Sequence, residues 1–194
     1  AILWFGWFGF NAGSALAAGE LSAGAFVATH LAASAATLSW VCVEWAHRGK
    51  PTVLGAASGC VAGLVGITPG AGFVTPMAAI VIGLAVGAIC YGAIMMKARF
   101  GYDDSLDVVG VHFVGGMFGA LATGLFATKA VNPAGADGLF YGNPKLFLVQ
   151  ALAAGVAMTY AFCASYGLLL LLDKVMGLRV DPEHESMGLD LSQH

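Results

Sequence analysis

The chain has 194 residues, of which 59% are hydrophobic and only 10% charged, with a formal net charge of −3. Soluble domains carry about 25% charged residues, and a mean hydropathy of +0.83 leaves too little polar surface to coat one. An ordinary soluble fold is therefore excluded, and the small net charge, with no basic or aromatic-interleaved patch, argues against a nucleic-acid binder.

A helix crossing the hydrocarbon of a bilayer needs about 20 mainly apolar residues. Six candidate spans follow in chain order: about 1 to 18, 23 to 46, 53 to 69, 74 to 98, 105 to 128 and 145 to 176. A Gly19-Glu20 break follows the first, "HRGKP" (47 to 51) the second and "TPGAGFVTP" (68 to 76) the third. "KARFGYDD" (97 to 104) follows the fourth, and "NPAGADGLFYGNP" (132 to 144) marks the longest loop through its Asn, Pro, Gly and Asp. No alternating β pattern competes. The sequence thus predicts an all-α fold, a polytopic membrane helix bundle with six transmembrane helices.

Basic residues set the orientation. Arg48, Lys50, Lys97, Arg99, Lys174 and Arg179 fall on one side of alternating crossings, leaving Lys129 and Lys145 opposite. By the positive-inside rule the first side is cytoplasmic, and so is the C-terminus. Residues 1 to 177 form the membrane part in this reading, and 178 to 194 a polar cytoplasmic tail.

Small residues recur at a four-residue interval: Gly9 and Gly13; Gly55, Gly59 and Gly63; Gly83 and Gly87; Gly115 and Gly119. That spacing nearly repeats one helix face and lets backbones touch, which predicts tight packing within a bundle and is compatible with packing between subunits. Cys42, Cys60, Cys90 and Cys163 sit singly, without CxxC spacing, and read as buried small hydrophobes rather than ligands or disulfides. The chain opens "AILWFGWFGF", without an initiator Met or a polar cap, which suggests a piece of a longer polypeptide.

His112 is the polar anomaly. It lies in "GVHFVGG", about seven residues into the fifth span, too deep for its ring to reach an interface easily. Ionisable groups at such depth are costly and face the bundle interior or a cavity. A 3.6-residue repeat puts it on one face with Gly116, Gly119 and Thr123, with Val108 a turn before. Two readings stand: a histidine bonded to a neighbouring helix, or one beside a passage for something polar. Asp104 and Asp107 read as a helix N-cap and a first-turn carboxylate. Asp107 is about 140° around the helix from His112, too far for a carboxylate–imidazole pair. His30 near the outer end of its helix reads as structural, and His47, His184 and His194 have no sequence-based claim to function.

These residues match a family. "GWFGFNAGSAL" (6 to 16) closely resembles the signature of the ammonium transporter family, and "DDSLDVVGVHFVGG" (103 to 116) resembles its histidine-bearing helix. "GLVGITPGAGFV" (63 to 74) and "GLRV" (177 to 180) followed by "GLD" (188 to 190) fit its order. The resemblance spans essentially the whole chain. It implies the second half of such a transporter, helices six to eleven and the regulatory tail, in a fold of two inverted five-helix repeats plus one helix that assembles as a homotrimer. It implies that Phe10 is the outer-gate phenylalanine, Ser14 the hydroxyl that accepts from ammonium at the external site, and His112 one of two pore histidines. Val108 and Tyr91 match positions lining the same conduit, and Trp7 and Asp107 match motif residues of mainly structural role. Phe113 departs from the glycine usual after this histidine.

The function this implies is passage of ammonium or ammonia through a cell membrane, in contact with lipid, without cofactor or metal, and with a PII-type signalling protein as a cytoplasmic partner. An ammonium sensor signalling to a cytoplasmic module is the alternative. The chain has no GxSxG, HExxH or paired intrahelical carboxylates, so an enzyme is not expected.

Overall fold

The computed structural model describes residues 1–193. Most are helical, with no strand among them: α1 Ile2–Gly13, α2 Glu20–Arg48, α3 Val53–Ile67, α4 Pro76–Phe100, a π-helical turn Val109–Phe113 that runs into α5 Val114–Phe126, a 3-10 turn Leu139–Tyr141, α6 Pro144–Met176, and the short α7 Pro182–Met187 and α8 Leu189–Gln193. The chain divides into two compact units, Ala1–Ala154 and a second beginning at Gly155.

Helix starts and stops follow local chemistry. Thr52 caps α3 by accepting from the Gly55 N–H at 2.9 Å, and Thr75 caps α4, with Pro76 at its first position. Gly49 and Gly101 end α2 and α4 at φ +77° and +65°, where a side chain would be strained. Glu20–Arg48, Pro76–Phe100, Val109–Phe126 and Pro144–Met176 are long and apolar enough to cross a bilayer; α3 is apolar but has only 15 residues.

Two boundaries move inward from the sequence expectation. The first helix stops at Gly13, because the run to Gly19 turns through Leu16 at φ +57°. The fifth cannot start before Asp107, whose φ of +56° is incompatible with a helical turn. The tail, expected as a plain polar extension, contains two short helices, while its last residue, His194, lies outside the described residues.

The first unit is built around α2. Ala28, Ala32, Ala33, Ala36 and Trp40 are buried along it, and the glycine rows of α3 and α4 lie against them. A Cβ at Gly59 would sit 2.6 Å from Trp40 Cβ, one at Gly63 2.6 Å from the Ala32 carbonyl, and one at Gly87 2.5 Å from the Ala36 carbonyl. Gly119 of α5 lies directly on the Gly66 carbonyl of α3. Gly9 and Gly13 break the pattern: no atom lies within 4 Å of an added Cβ at either, so the α1 row seals no helix contact here. Of the four free cysteines only Cys90 is buried; Cys60 is intermediate and Cys42 and Cys163 are exposed, so the expectation of burial fails for those. In a membrane helix an apolar cysteine can face outward at little cost.

Glu44 is the buried charge of this unit, 3% exposed. Its carboxylate accepts from the Thr52 N–H at 3.1 Å and the Thr52 hydroxyl at 2.9 Å, joining the end of α2 to the start of α3. Gly55 leaves the space the carboxylate fills.

Overpacking a seam of this kind costs typically about 1–3 kcal/mol. Gly87→Val is therefore expected to lower the thermal midpoint of the purified protein by several degrees. Gly92→Ala, at a site with open space, should leave the midpoint within a degree of wild type in the same melt.

Candidate functional site

Three connections converge at one end of the first unit: the turn after α1, the segment from Thr68 to Thr75, and the loop between α5 and α6. The Thr128 N–H donates to the Phe73 carbonyl at 2.9 Å, and the Gly138 N–H closes the loop on the Ala127 carbonyl at 2.8 Å. Between them lies a cleft of about 280 Å³ lined by Phe10, Asn11, Ser14, Thr68, Phe73 and Asn132, among others.

The hydrogen bonds around it share a direction. The Ser14 hydroxyl donates back to the Phe10 carbonyl at 2.7 Å. The Asn11 amide nitrogen donates to Thr29 Oγ1 at 3.0 Å. The Trp7 indole N–H donates to Thr68 Oγ1 at 2.7 Å, and that hydroxyl donates to the Leu64 carbonyl, also at 2.7 Å. The Thr68 proton and a donor of Asn11 are thus engaged within the protein, and Ser14, while it donates to the Phe10 carbonyl, presents lone pairs to the cleft. Phe10 is 60% exposed and packs edge-on to Trp7, with ring centroids 5.9 Å apart. Its ring forms an aromatic wall of the cleft.

His112 is not part of this cleft. It sits inside the π-turn, where the Val114 N–H reaches the Val109 carbonyl, five residues back. The wider turn shifts the helix phase, so the buried strip is Gly110, Val111, Gly115, Gly119, Ala122 and Thr123, with His112 exposed one position off it. The face counted at 3.6 residues per turn differs accordingly: Gly119 is buried against α3 and Thr123 beside Gly70 of the segment that follows it, and His112 is not with them. The ring has no hydrogen bond or ion pair among the described residues. Val108 and Phe113, each 47% exposed, flank it.

Asp104 caps the helix start as the sequence reading expects, whereas Asp107 is not in the first turn. Both oxygens of Asp104 cap the turn, accepting from the Val108 N–H at 2.9 Å and the Val109 N–H at 2.8 Å. Asp107 precedes the helix and is paired with Lys97. Neither carboxylate reaches His112.

Tyr91 is 5% exposed, with Trp40 edge-on at 5.6 Å, and its hydroxyl is 2.7 Å from His47 Nδ1. Sequence reasoning offered no role for His47, which shares the last turn of α2 with Arg48. His30 lies beside the rings of Trp4 and Phe8, at 5.5 and 6.0 Å. Asn11, Thr29, Thr68 and Glu44 were also missed. The available signal was a polar residue inside an apolar helix, and Asn11 stands three positions before Ser14 within the quoted motif.

The model of the Ammonium Transporter Family matches residues 1–194. The chain belongs to that family. It is 50% identical over 195 residues to the "Ammonium transporter" of Bacillus subtilis (strain 168), a match covering 100% of this chain and 48% of the relative. Mep2 of Saccharomyces cerevisiae, a crystal structure, superposes with a TM-score of 0.89 at 37% identity, over 93% of this chain and 42% of that one. A "Sensor Amt Protein" superposes at 0.88 with 34% identity, over 98% and 46%. The chain spans about half the length of the relatives it matches. The ammonium transporter family is one of transporters, not enzymes, and with its apolar helices the chain is a multi-pass membrane protein of all-α fold.

Two outcomes follow from the loop chemistry. Asp104→Ala removes both caps of the π-turn and is expected to cost about 1–2 kcal/mol, read as earlier unfolding in a denaturant titration. Asp137 accepts from the Lys129 N–H and the Thr128 hydroxyl, which hold its carboxyl below the ordinary 3.8. A depressed carboxylate stabilises the fold above its unfolded value and stops doing so as pH falls through the lower, folded value. Amide exchange in residues 128 to 138 should therefore speed up below about pH 4 in wild type, and lose that acid step in Asp137→Asn.

Proposed function

We propose that the protein carrying this chain moves ammonium nitrogen across a membrane, taking up the cation at the cleft of Ser14 and Phe10 and passing neutral ammonia beyond it. The observation that carries this reading is the shared cleft: the Ser14 hydroxyl, bonded back to the Phe10 carbonyl, presents an oxygen acceptor beside an aromatic ring, and that pairing recognises a small cation.

The physics supports the division of labour. A bare ammonium ion in hydrocarbon costs on the order of tens of kcal/mol, whereas ammonia has no charge to bury. The outer site therefore competes with hydration through an oxygen acceptor and the cation–π attraction of Phe10. Potassium meets the same acceptors but has no proton to release, so it has no neutral form in which to continue. Beyond the cleft, His112 offers a ring with one donor and one acceptor nitrogen in its neutral state. π-turns occur frequently at functional sites. Val108 flanks that ring, and Tyr91, its hydroxyl on His47, lies towards the other end of the bundle. Trp7 and Asp107 serve as supports, through Thr68 and Lys97.

Orientation belongs to the same proposal. The cleft lies at the end where α1 stops and α2 starts; Arg48, Lys50, Lys97 and Arg99 lie at the other, which the positive-inside rule makes cytoplasmic, along with the tail from 178. A homotrimer in a cell membrane, with a PII-type protein docking on the cytoplasmic face, completes the reading. The likeness to a "Sensor Amt Protein" favours a second one, in which the same cleft reports ammonium to a cytoplasmic module.

In proteoliposomes containing the full-length protein, Ser14→Ala should raise the half-saturating ammonium concentration roughly tenfold, as expected for one lost charge-assisted bond. His112→Ala should lose either ammonium transport or the exclusion of potassium. Unaltered uptake with potassium still excluded would remove His112 from the mechanism. A wild-type protein that binds ammonium without flux would decide for the sensor.

A further inference from the structure

We infer that Asn11 is a second cation-binding residue of the cleft, its carboxamide oxygen turned outward by Thr29. The inference rests on the ammonium reading above and adds a residue to it.

A carboxamide has a donor end and an acceptor end of nearly equal shape, so which end faces the cleft depends on what holds the other. Thr29 settles this. Its oxygen lies 2.6 Å from the Ala25 carbonyl, an atom with no proton to give, so the hydroxyl proton points there. Thr29 is fully buried, so no solvent competes for it. Only lone pairs remain on its oxygen for Asn11, 3.0 Å away, and Asn11 must meet them with its Nδ2. Reversing the amide would set two oxygens against each other. The atom left for the cleft is Oδ1.

Asn11 is 8% exposed and lines the same cleft as Ser14. The two residues are three apart, close to one turn of helix, and therefore share a side of the chain. Ammonium carries four N–H donors arranged tetrahedrally, and a single hydroxyl satisfies one of them. A second oxygen, on a dipole that cannot turn, takes the place of another water molecule shed by the ion on entry. Thr29 touches no ligand in this scheme; it is a positioning residue acting through Asn11.

The test uses the full-length protein in proteoliposomes and reads initial flux against ammonium concentration. Asn11→Ala should raise the half-saturating concentration about tenfold while the maximal rate changes less than twofold. Thr29→Val keeps the volume of the side chain and leaves Asn11 in place, but frees its amide to rotate; half-saturation should rise at least threefold. Thr29→Ser, which keeps the hydroxyl, should return it to the wild-type value. Should Asn11→Ala fail to assemble, the valine and serine pair carries the test alone. The inference is overturned if Thr29→Val retains wild-type half-saturation, or if Asn11→Ala lowers only the maximal rate. If these variants have no effect while Ser14→Ala weakens binding, the cleft stands and Asn11 is removed from it. If Ser14→Ala is also without effect, the cleft is not the recruitment site and the functional reading falls with it.

Discussion

Close contact along α2 positions α3 and α4, and through α3 and α4 the start and body of α5. Lipid tails are as apolar as leucine, so burying hydrocarbon gives membrane helices little reason to associate; they are held by dispersion at short range and by interhelical polar contacts. Dispersion falls off steeply with even a small gap, which makes the alanines of α2 and the glycines opposite them a single device. Ala32 and Ala36 meet Gly63, Gly83 and Gly87, and the carbonyl of Gly66 meets Gly119 on the far side of α3. Helices seated this closely cannot slide without forcing a carbonyl into a neighbouring chain. Their ends therefore stay in register, and three connections that are far apart in sequence are held around one small cleft.

The same environment explains the character of that cleft. An unpaired donor in the hydrocarbon costs several kcal/mol, so hydroxyls in membrane helices give their protons to a carbonyl one turn back. Thr29 does so to Ala25, Thr37 to Ala33, Thr68 to Leu64 and Thr123 to Gly119. Each of these oxygens is then left with lone pairs only. Where such an oxygen or its partner reaches a cleft, the surface presented is electron-rich without carrying a charge. That suits a cation which must be bound weakly enough to move on: a carboxylate in place of Ser14 would hold ammonium as an ion pair and release it slowly.

Much of the helical architecture was legible because apolar length and Gly/Pro punctuation report directly on crossing segments. The elements starting near 53, 76 and 144 lie within two residues of their expected positions for that reason. The glycine rows of α3, α4 and α5 meet elements present in this chain, whereas the α1 row has nothing among the described residues opposite it. Whether a glycine is packed depends on what lies opposite, and spacing alone carries no information about the opposite helix. Phe10 and Ser14 could be placed in one site from a motif. Asn11 and Thr29 could not, because their relation depends on the direction of two protons, and a sequence records residue types rather than hydrogen-bond geometry.

The phase of His112 was the clearest failure, and it has a physical cause. A count at 3.6 residues per turn assumes the same turn throughout, but Asp104 gathers the N–H groups of both Val108 and Val109, and the turn that follows is wound wide. One extra residue in a turn rotates all that precedes it relative to all that follows. Gly115 and Gly119 stay against their neighbours, while His112 is carried off the buried strip. Depth follows from the same helix. Gly70, between the cleft residues Pro69 and Ala71, lies beside Thr123. Thr123 is eleven residues beyond His112, which at 1.5 Å per residue is roughly 16 Å along the axis. A single ammonium ion cannot touch Ser14 and the imidazole at once over that span. On the proposed reading the two act in series: the cation gives its proton to water at the cleft, and ammonia alone continues to the imidazole.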